Sequence, residues 1–345
     1  MNTTSQQYSN TLYIIVAVWP NTKDNHAGML HLAREIKRTA SFPVRIFSIP
    51  TYHLRYLFWF YCLVMDLIAL WLRFRVKPGD TVWLMEYLMR TMQQSGAAKI
   101  LKGKACVIAT AHLVPKRLSR HYSDRSLKRR IRPLDRLYVL GTSLRDYFIS
   151  RGIAPEKVKS TFHYVDTEYY TPGGVAAGER LKVIAMGNME RDFDTLKEII
   201  GQSPEVDFTV CLGMLGTDAF NHFENVRAVG FVPEDELRRL MQEADVSLNT
   251  MYDTIGSNVI TTSQACGLPV LASNVGSISD YVTDGQDGML FESASQAVGM
   301  LRRLDKDRVL LREMSERARK KSERISVAEF VNALNSDLIE LTRQS

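Results

Sequence analysis

From Leu12 to Phe291 the chain alternates short apolar runs with stretches of helical periodicity, and nothing else in it limits the possible folds so strongly. The runs are LYIIVAV (12–18), VRIFSI (44–49), TVWLM (81–85), ACVIAT (105–110) and RLYVLG (136–141). A second series follows: KVIAMG (182–187), DFTVCLG (207–213), VRAVGFV (226–232), ADVSLNT (244–250), LPVLAS (268–273) and GMLF (288–291). Helical patterns separate them, including His26–Arg38, Ser143–Arg151, Glu234–Glu243, Ile260–Ala265 and Ser293–Leu304. Strands that take turns with helices build parallel sheets joined by right-handed crossovers. The alternation breaks at YTPGGVAAGE (170–179), whose small residues read as a linker. A chain of 345 residues also exceeds one ordinary core. The expected fold class is α/β, with two doubly wound Rossmann-like domains at 1–175 and 176–345. The last helix is free to return to the first domain. Each domain would hold its ligand crevice at the carboxyl ends of its strands.

The most apolar segment is RYLFWFYCLVMDLIALWLRFR (55–75). Tyr56 to Leu72 covers 17 residues, interrupted only by Asp66, which is the lower edge of a membrane span. An aspartate at the centre of such a span costs about 2.5–3.5 kcal/mol. A span would also part strands of one sheet. Two readings stay open: a crossover helix buried between layers, or a helix resting in a bilayer surface through Tyr56, Trp59, Tyr61 and Trp71. In the same half, Lys116–Arg136 carries nine Lys/Arg against two Asp. Arg117, Arg120, Arg125, Lys128, Arg129, Arg130 and Arg132 cannot share one helix face, but they form one basic patch. Each basic group close to an anionic leaflet contributes about 1 kcal/mol. With a formal net charge of +6, an acidic partner is expected. An anionic membrane surface is favoured, touched by Trp59, Arg125, Lys128, Arg129 and Arg130. No nucleic-acid motif accompanies the charge, so no nucleic-acid partner is expected. The four cysteines (62, 106, 211, 266) are widely spaced and form no Cys-x-x-Cys pair, which fits a reducing compartment. The opening residues lack a basic-then-apolar leader. The expected location is cytoplasmic, peripheral at the inner face of the cell membrane.

Chemistry concentrates in Ala244–Phe291. A strand ending at Asn249 leads into a polar loop with Asp253 and Gly256, and a helix starts near Ser257-Asn258. Free N–H groups at a helix start, aided by the dipole, bind anions. Gly267-Leu268-Pro269 stops that helix, and Gly276-Ser277 opens another. Two such helix starts at strand carboxyl ends describe a diphosphate pocket, although ordinary capped βα turns have the same look. Asp192-Phe193-Asp194 follows Gly187-Asn188 and opens a helix, so N-capping accounts for it better than metal binding.

These residues resemble the donor-binding half of the GT-B glycosyltransferases, in particular the large retaining family 4 (glycosyl transferases group 1). That family's pattern runs E-x7-E, A-C-G-x-P-V, a glycine-rich turn, then D-G-x-x-G. Here ACGLPV (265–270), the turn Asn274–Ser277 and DGQDG (284–288) match it. VRAVGFVPEDELRRLMQEADVSL, AMGNMERDF and TFHYVDTEYYTPG are similar to the segments around it. The resemblance covers about half the chain, and the first 110 residues by architecture alone.

The resemblance implies two domains facing a cleft, a nucleoside diphosphate sugar donor, a lipid-linked or saccharide acceptor, and no cofactor. It places Gly187, Asn188, Gly256, Ser257, Asn258, Val259 and Thr262 around the donor. Gly28 in the first βα loop, near Asp24 and His26, would approach its phosphate. Arg191 would neutralise the pyrophosphate, so that no essential metal is needed. His112 corresponds to a histidine that contacts the transferred sugar, and His163 and Asp166 to hinge or structural residues. The sequence departs from the pattern where Thr254 and Thr262 stand in the glutamate positions; Asp253 is the candidate replacement for the first. A nucleotide-sugar epimerase or hydrolase of the same fold, or a non-catalytic sugar-nucleotide binder, are the alternatives.

Overall fold

A computed structural model describes residues 10–19, 23–51, 57–89, 94–173 and 180–344. It divides into two compact units: unit 1 runs to Phe162 and resumes at Val327, and unit 2 is His163–Ser326.

Unit 1 runs β1 (Leu12–Val18), α1 (Met29–Thr39), β2 (Val44–Pro50), α2 (Phe58–Arg73), β3 (Thr81–Tyr87), α3 (Ser95–Leu101), β4 (Cys106–Ala111), α4 (Pro115–His121), α5 (Asp124–Ile131), β5 (Arg136–Val139), α6 (Thr142–Ser150) and β6 (Val158–Ser160). The strands form one parallel sheet in the order β2-β1-β3-β4-β5-β6. Its central strands read as continuous apolar runs because helices cover both faces. The short strand β6 has no counterpart in the sequence expectation. VKS carries a single apolar residue, and its place is given only by pairing along the sheet edge, Leu137 to Val158.

Right-handed crossovers put α2, α3, α5 and α6 on one face of this sheet and α1 on the other. Helix α2 is therefore the crossover between β2 and β3. It buries Tyr61, Met65, Ala69 and Leu72 against the sheet, so Tyr61 is not a surface aromatic. Its other side is also apolar: Trp59 is 77% exposed, and Phe60, Leu63, Leu67 and Leu70 are exposed with it. The helix is thus buried on one face and apolar but exposed on the other. Tyr56 lies outside the described residues. Asp66 does not break the exposed face. It turns toward α3, where a Cβ on Gly96 would lie 2.3 Å from its Oδ1. Burial raises its pKa, partly offset by Lys99. No helix among the described residues is long and apolar enough to cross a membrane.

Unit 2 begins with the segment 163–173, continues at β7 (Lys182–Met186) and passes through α7 (Phe193–Gly201), β8 (Asp207–Cys211), β9 (Val226–Val229), α8 (Glu234–Gln242), β10 (Val246–Asn249), α9 (Asn258–Ala265), β11 (Val270–Ser273), α10 (Ile278–Tyr281), β12 (Gly288–Phe291), α11 (Ala294–Lys306) and α12 (Arg308–Glu323). Its parallel sheet has the order β9-β8-β7-β10-β11-β12. The units part at Phe162/His163, ahead of the small-residue stretch whose residues 174–179 lie outside the described set. The reason is polar anchoring. Tyr170 Oη donates to Glu234 at 2.5 Å, Gln242 Nε2 donates to the Thr171 carbonyl at 2.8 Å, and Arg319 donates to the carbonyls of Thr167 and Tyr170.

The last helix, α13 (Val327–Gln344), belongs to unit 1. Phe330, Val331, Leu334, Leu338 and Leu341 form its buried stripe. Phe330 stacks parallel on Trp83 at 6.1 Å and edge-on to Phe162 at 5.5 Å. Arg136 pairs with Glu340 at 3.0 Å, and Lys159 pairs with Asp337. The C-terminal helix therefore completes a core laid down by the first half of the chain. Truncating a buried Phe costs about 3–5 kcal/mol. All four tryptophans (19, 59, 71, 83) lie in unit 1, so their fluorescence reports that unit alone. Phe330→Ala should move the urea midpoint seen by tryptophan emission far to lower denaturant. An unmoved midpoint would show that α13 does not support this core.

Candidate active site

In an open α/β sheet a ligand crevice opens where the strand order reverses. In unit 2 that point lies between β7 and β10, which pair through Val183–Val246 and Ile184–Ser247. The loops leaving these strands are tied to each other. Asp192 N–H donates to the Thr250 carbonyl and Tyr252 N–H to the Glu190 carbonyl, both at 3.0 Å. The loop after β11 joins them, because Ser277 N–H donates to the Thr254 carbonyl at 2.7 Å. Gly276 fits there with φ +57°, since a Cβ would lie 2.2 Å from the Thr254 carbonyl oxygen and 2.5 Å from Asp253 Oδ1.

Arg191 sits at the centre of these loops. Its Nε donates to the Met186 carbonyl at 2.9 Å. Its guanidinium lies over Gly187, where a Cβ would be 3.3 Å from Nη2 and 3.6 Å from Val259 Cγ2. Arg191 makes no ion pair among the described residues, and burial pushes its pKa down to about 10. A desolvated cation without a counter-ion is costly unless a ligand anion supplies the charge. The first turn of α9 stands beside it through Val259. Ser257 is the N-cap of α9, yet its side chain accepts no capping bond, and its buried Oγ has no hydrogen-bond partner among the described residues. The N–H groups of Asn258 and Val259 are the orphan donors of that turn. The Arg191 guanidinium and the first turn of α9 thus meet over Gly187, through Val259.

The other expected site residues take varied places. Asn188 is exposed near Gly213, with Nδ2 3.5 Å from the position of a Cβ there. Asp192 caps α7, accepting from Thr195 N at 3.1 Å and from Thr195 Oγ1 at 2.9 Å, while exposed Asp194 pairs with Lys197 at 3.6 Å. The threonines at the glutamate positions are occupied locally: Thr254 Oγ1 accepts from Gly256 N at 3.2 Å, and Thr262 Oγ1 donates to the Asn258 carbonyl at 2.6 Å. Asp253 remains the carboxylate of this loop, set against Gly276. Gly28 and His112 belong to unit 1, where Gly28 is the N-cap of α1. His112 follows β4 and bonds the Met85 carbonyl through Nε2 at 2.7 Å. A carbonyl only accepts, so Nε2 carries the proton and Nδ1 keeps its lone pair. Burial holds the imidazole below its ordinary pKa, and the ring is neutral at pH 7.

Of the basic patch, Arg125, Lys128 and Arg129 are exposed. Arg130 is not: its Nη1 donates to Ser95 Oγ at 2.7 Å and its guanidinium lies 5.1 Å from the Tyr122 ring centroid. Arg130 therefore ties α5 to α3 and is no surface contact. One residue beside the site gave no sequence signal. Tyr281 packs on Gly256 and accepts the His163 N–H at 2.9 Å on its Oη.

Residues 180–307 match the family model described as Glycosyl transferases group 1. Unit 2 carries a glycosyl transferases group 1 domain. A curated relative, an uncharacterized 41.2 kDa protein in the cps region of Klebsiella pneumoniae, is 30% identical over 131 residues. That match spans 36% of this chain and 36% of the relative, so the shared part is about a third of each. Among solved structures, sucrose-phosphate synthase from Thermosynechococcus elongatus superposes with a TM-score of 0.76 at 14% identity, covering 97% of this chain and 100% of that one. Anabaena HepE in complex with UDP and glucose superposes at 0.68 with 13% identity, over 95% and 99%. The fold is that of the GT-B glycosyltransferases.

Within the group 1 domain, Gly256 has φ +94°, and a Cβ would lie 2.3 Å from Tyr281 Cζ. Gly256→Ala therefore meets backbone strain and a clash, together about 2 kcal/mol or more. The loss should shrink in a Tyr281→Ala background without vanishing, because the backbone strain persists. A double-mutant cycle from thermal melts by circular dichroism checks this, and simple additivity would count against the packing.

Proposed function

We propose that the protein is a glycosyltransferase that moves a sugar from a nucleoside diphosphate sugar to a saccharide or lipid-linked acceptor in polysaccharide or glycoconjugate assembly. One observation carries the reading: Arg191 is a part-buried cation that makes no ion pair among the described residues, packed on Gly187 beside the first turn of α9. Unit 2 binds the donor through this cluster, and unit 1 serves the acceptor. As the bond from the anomeric carbon to the diphosphate breaks, charge grows on the departing oxygens. Arg191, the Asn258 and Val259 amides and Ser257 Oγ stabilise that charge more than they stabilise the bound donor, which is what accelerates the step. The acceptor hydroxyl oxygen takes the sugar, its proton passes to the departing phosphate oxygen, and the nucleoside diphosphate leaves. Retention of configuration follows the resemblance to the group 1 pattern. Neutralisation by Arg191 and the amides makes the transfer metal-independent.

Unit 1 supports a peripheral membrane site at the inner face of the cell membrane. Its exposed apolar stripe on α2 and its basic helix α5 lie on the same face of the sheet. They are linked through α3 by Asp66 at Gly96 and Arg130 at Ser95. Aromatic and leucine side chains then enter the interfacial region while the basic groups meet anionic headgroups.

Arg191→Ala should weaken nucleoside diphosphate binding several-fold and lower turnover further, while wild-type activity persists in excess EDTA. Sugar-nucleotide kinetics with and without chelator measure both, and unchanged kinetics for Arg191→Ala would sink the assignment. On vesicles containing anionic lipid, the triple change of Arg125, Lys128 and Arg129 to Ser should weaken binding and its salt sensitivity with thermal stability unchanged. Co-sedimentation over a salt series decides it, and full retention by the variant would refute the electrostatic contact.

A further inference from the structure

Unit 1 has a switch point of its own, between β1 and β3, and a carboxyl group stands across it. The pairing of these strands runs through Ile15–Leu84. The β3–β4 ladder then jumps from Leu84–Ala109 to Tyr87–Ala111, three residues against two. Such a bulge re-aims a side chain, and bulges gather beside active sites. Here it turns Glu86 toward β1, where its Oε2 accepts the Ala17 N–H at 2.9 Å. Its other oxygen, Oε1, has no partner among the described residues, and Glu86 keeps only 6% of its surface exposed. His112, just after the next strand β4, bonds the carbonyl of the adjoining Met85.

A glutamine would satisfy the Ala17 amide equally well without an ionisable group. The sheet alone therefore does not call for a carboxyl here. Burial lifts the Glu86 pKa to about 8, and the Ala17 N–H is the only opposing influence. The flanking titratable groups do not offset it: His112 is held neutral, and Tyr87 donates its hydroxyl to the Arg130 carbonyl at 2.6 Å.

We propose that Glu86 is the acceptor-recognising group of unit 1, accepting a sugar hydroxyl on Oε1 at the carboxyl ends of β1 and β3. The assignment rests on the glycosyltransferase reading for its role, and on the geometry of unit 1 for its ligand class, a polyhydroxylated sugar. An ionised carboxylate with one empty oxygen gains most from a hydroxyl donor. Sugar binding must then favour the charged form, lowering the Glu86 midpoint and strengthening as pH rises.

The test uses the whole chain and its Glu86→Gln variant, which keeps an acceptor for Ala17. Glucose, galactose, mannose and N-acetylglucosamine serve as probes. The Glu86 carboxyl resonance, assigned by difference from the variant, is titrated across pH 8 with and without each sugar. At least one sugar should lower the midpoint by about one unit, with sugar affinity rising about tenfold from the acid to the alkaline side of the titration. The variant should bind with no such pH dependence. A midpoint unmoved by all four sugars would overturn the proposal, as would the same pH dependence in Glu86→Gln. Stabilisation by nucleoside diphosphates, measured in parallel by thermal shift, reports on unit 2. Its absence would strike the glycosyltransferase reading while leaving the sugar result at Glu86 standing.

Discussion

The parallel pairing of β7 with β10 is the contact on which the candidate site depends. These two strands are neighbours in the sheet but lie more than fifty residues apart in the chain, and their connections leave in opposite directions along it. There one loop lays a guanidinium over its own glycine while Val259, from the first turn of α9, packs against the same glycine. The backbone bonds between Glu190, Asp192, Thr250 and Tyr252 hold the loops at that spacing. Gly187, at φ +88°, lets the arginine lie flat on the main chain. A side chain at that position would fill the space that Arg191 and Val259 share.

The electrostatics of the site follow from burial without compensation. Elsewhere in unit 2 the arginines find partners: Arg302 meets Glu205, Arg308 meets Asp305 and Asp245, and Arg239 meets Glu236 and Glu243. Those pairs neutralise charge locally and contribute modestly at a surface. Arg191 differs because it bonds a carbonyl, that of Met186, while the neighbouring Asp192 carboxylate is turned to Thr195. The replacement of glutamates by Thr254 and Thr262 extends this, since both hydroxyls are spent on their own backbone.

Unit 1 shows a contrasting economy. Its sheet is completed by a helix from the far end of the chain, and α13 meets it through both an aromatic stack and ion pairs. On the opposite face α2 is apolar on both sides, and its outer side, from Trp59 to Leu70, is exposed. The carboxyl at Glu86 is buried in this unit along with other polar groups, among them Asp80, Gln94 and Arg136.

The sequence by itself determined the architecture. Period-two and period-3.6 apolar patterns are local, so eleven of the twelve strands and the α/β class were legible before any coordinate, β6 being the exception. The glycines at 187, 256 and 276 and the helix start at Ser257 were legible for the same reason, because turn chemistry is written in adjacent residues. Tertiary structure alone decided what those residues face. Arg191 is part-buried over Gly187, with no ion pair among the described residues, through what packs around it. Arg130 left the basic surface because Ser95 and Tyr122 came within reach. Tyr281 entered the site through its contact with Gly256, and Glu86 became a buried acid through a bulge that brought it to Ala17. Each of these depends on groups distant in sequence meeting in a dry or crowded place, and no local pattern records such a meeting.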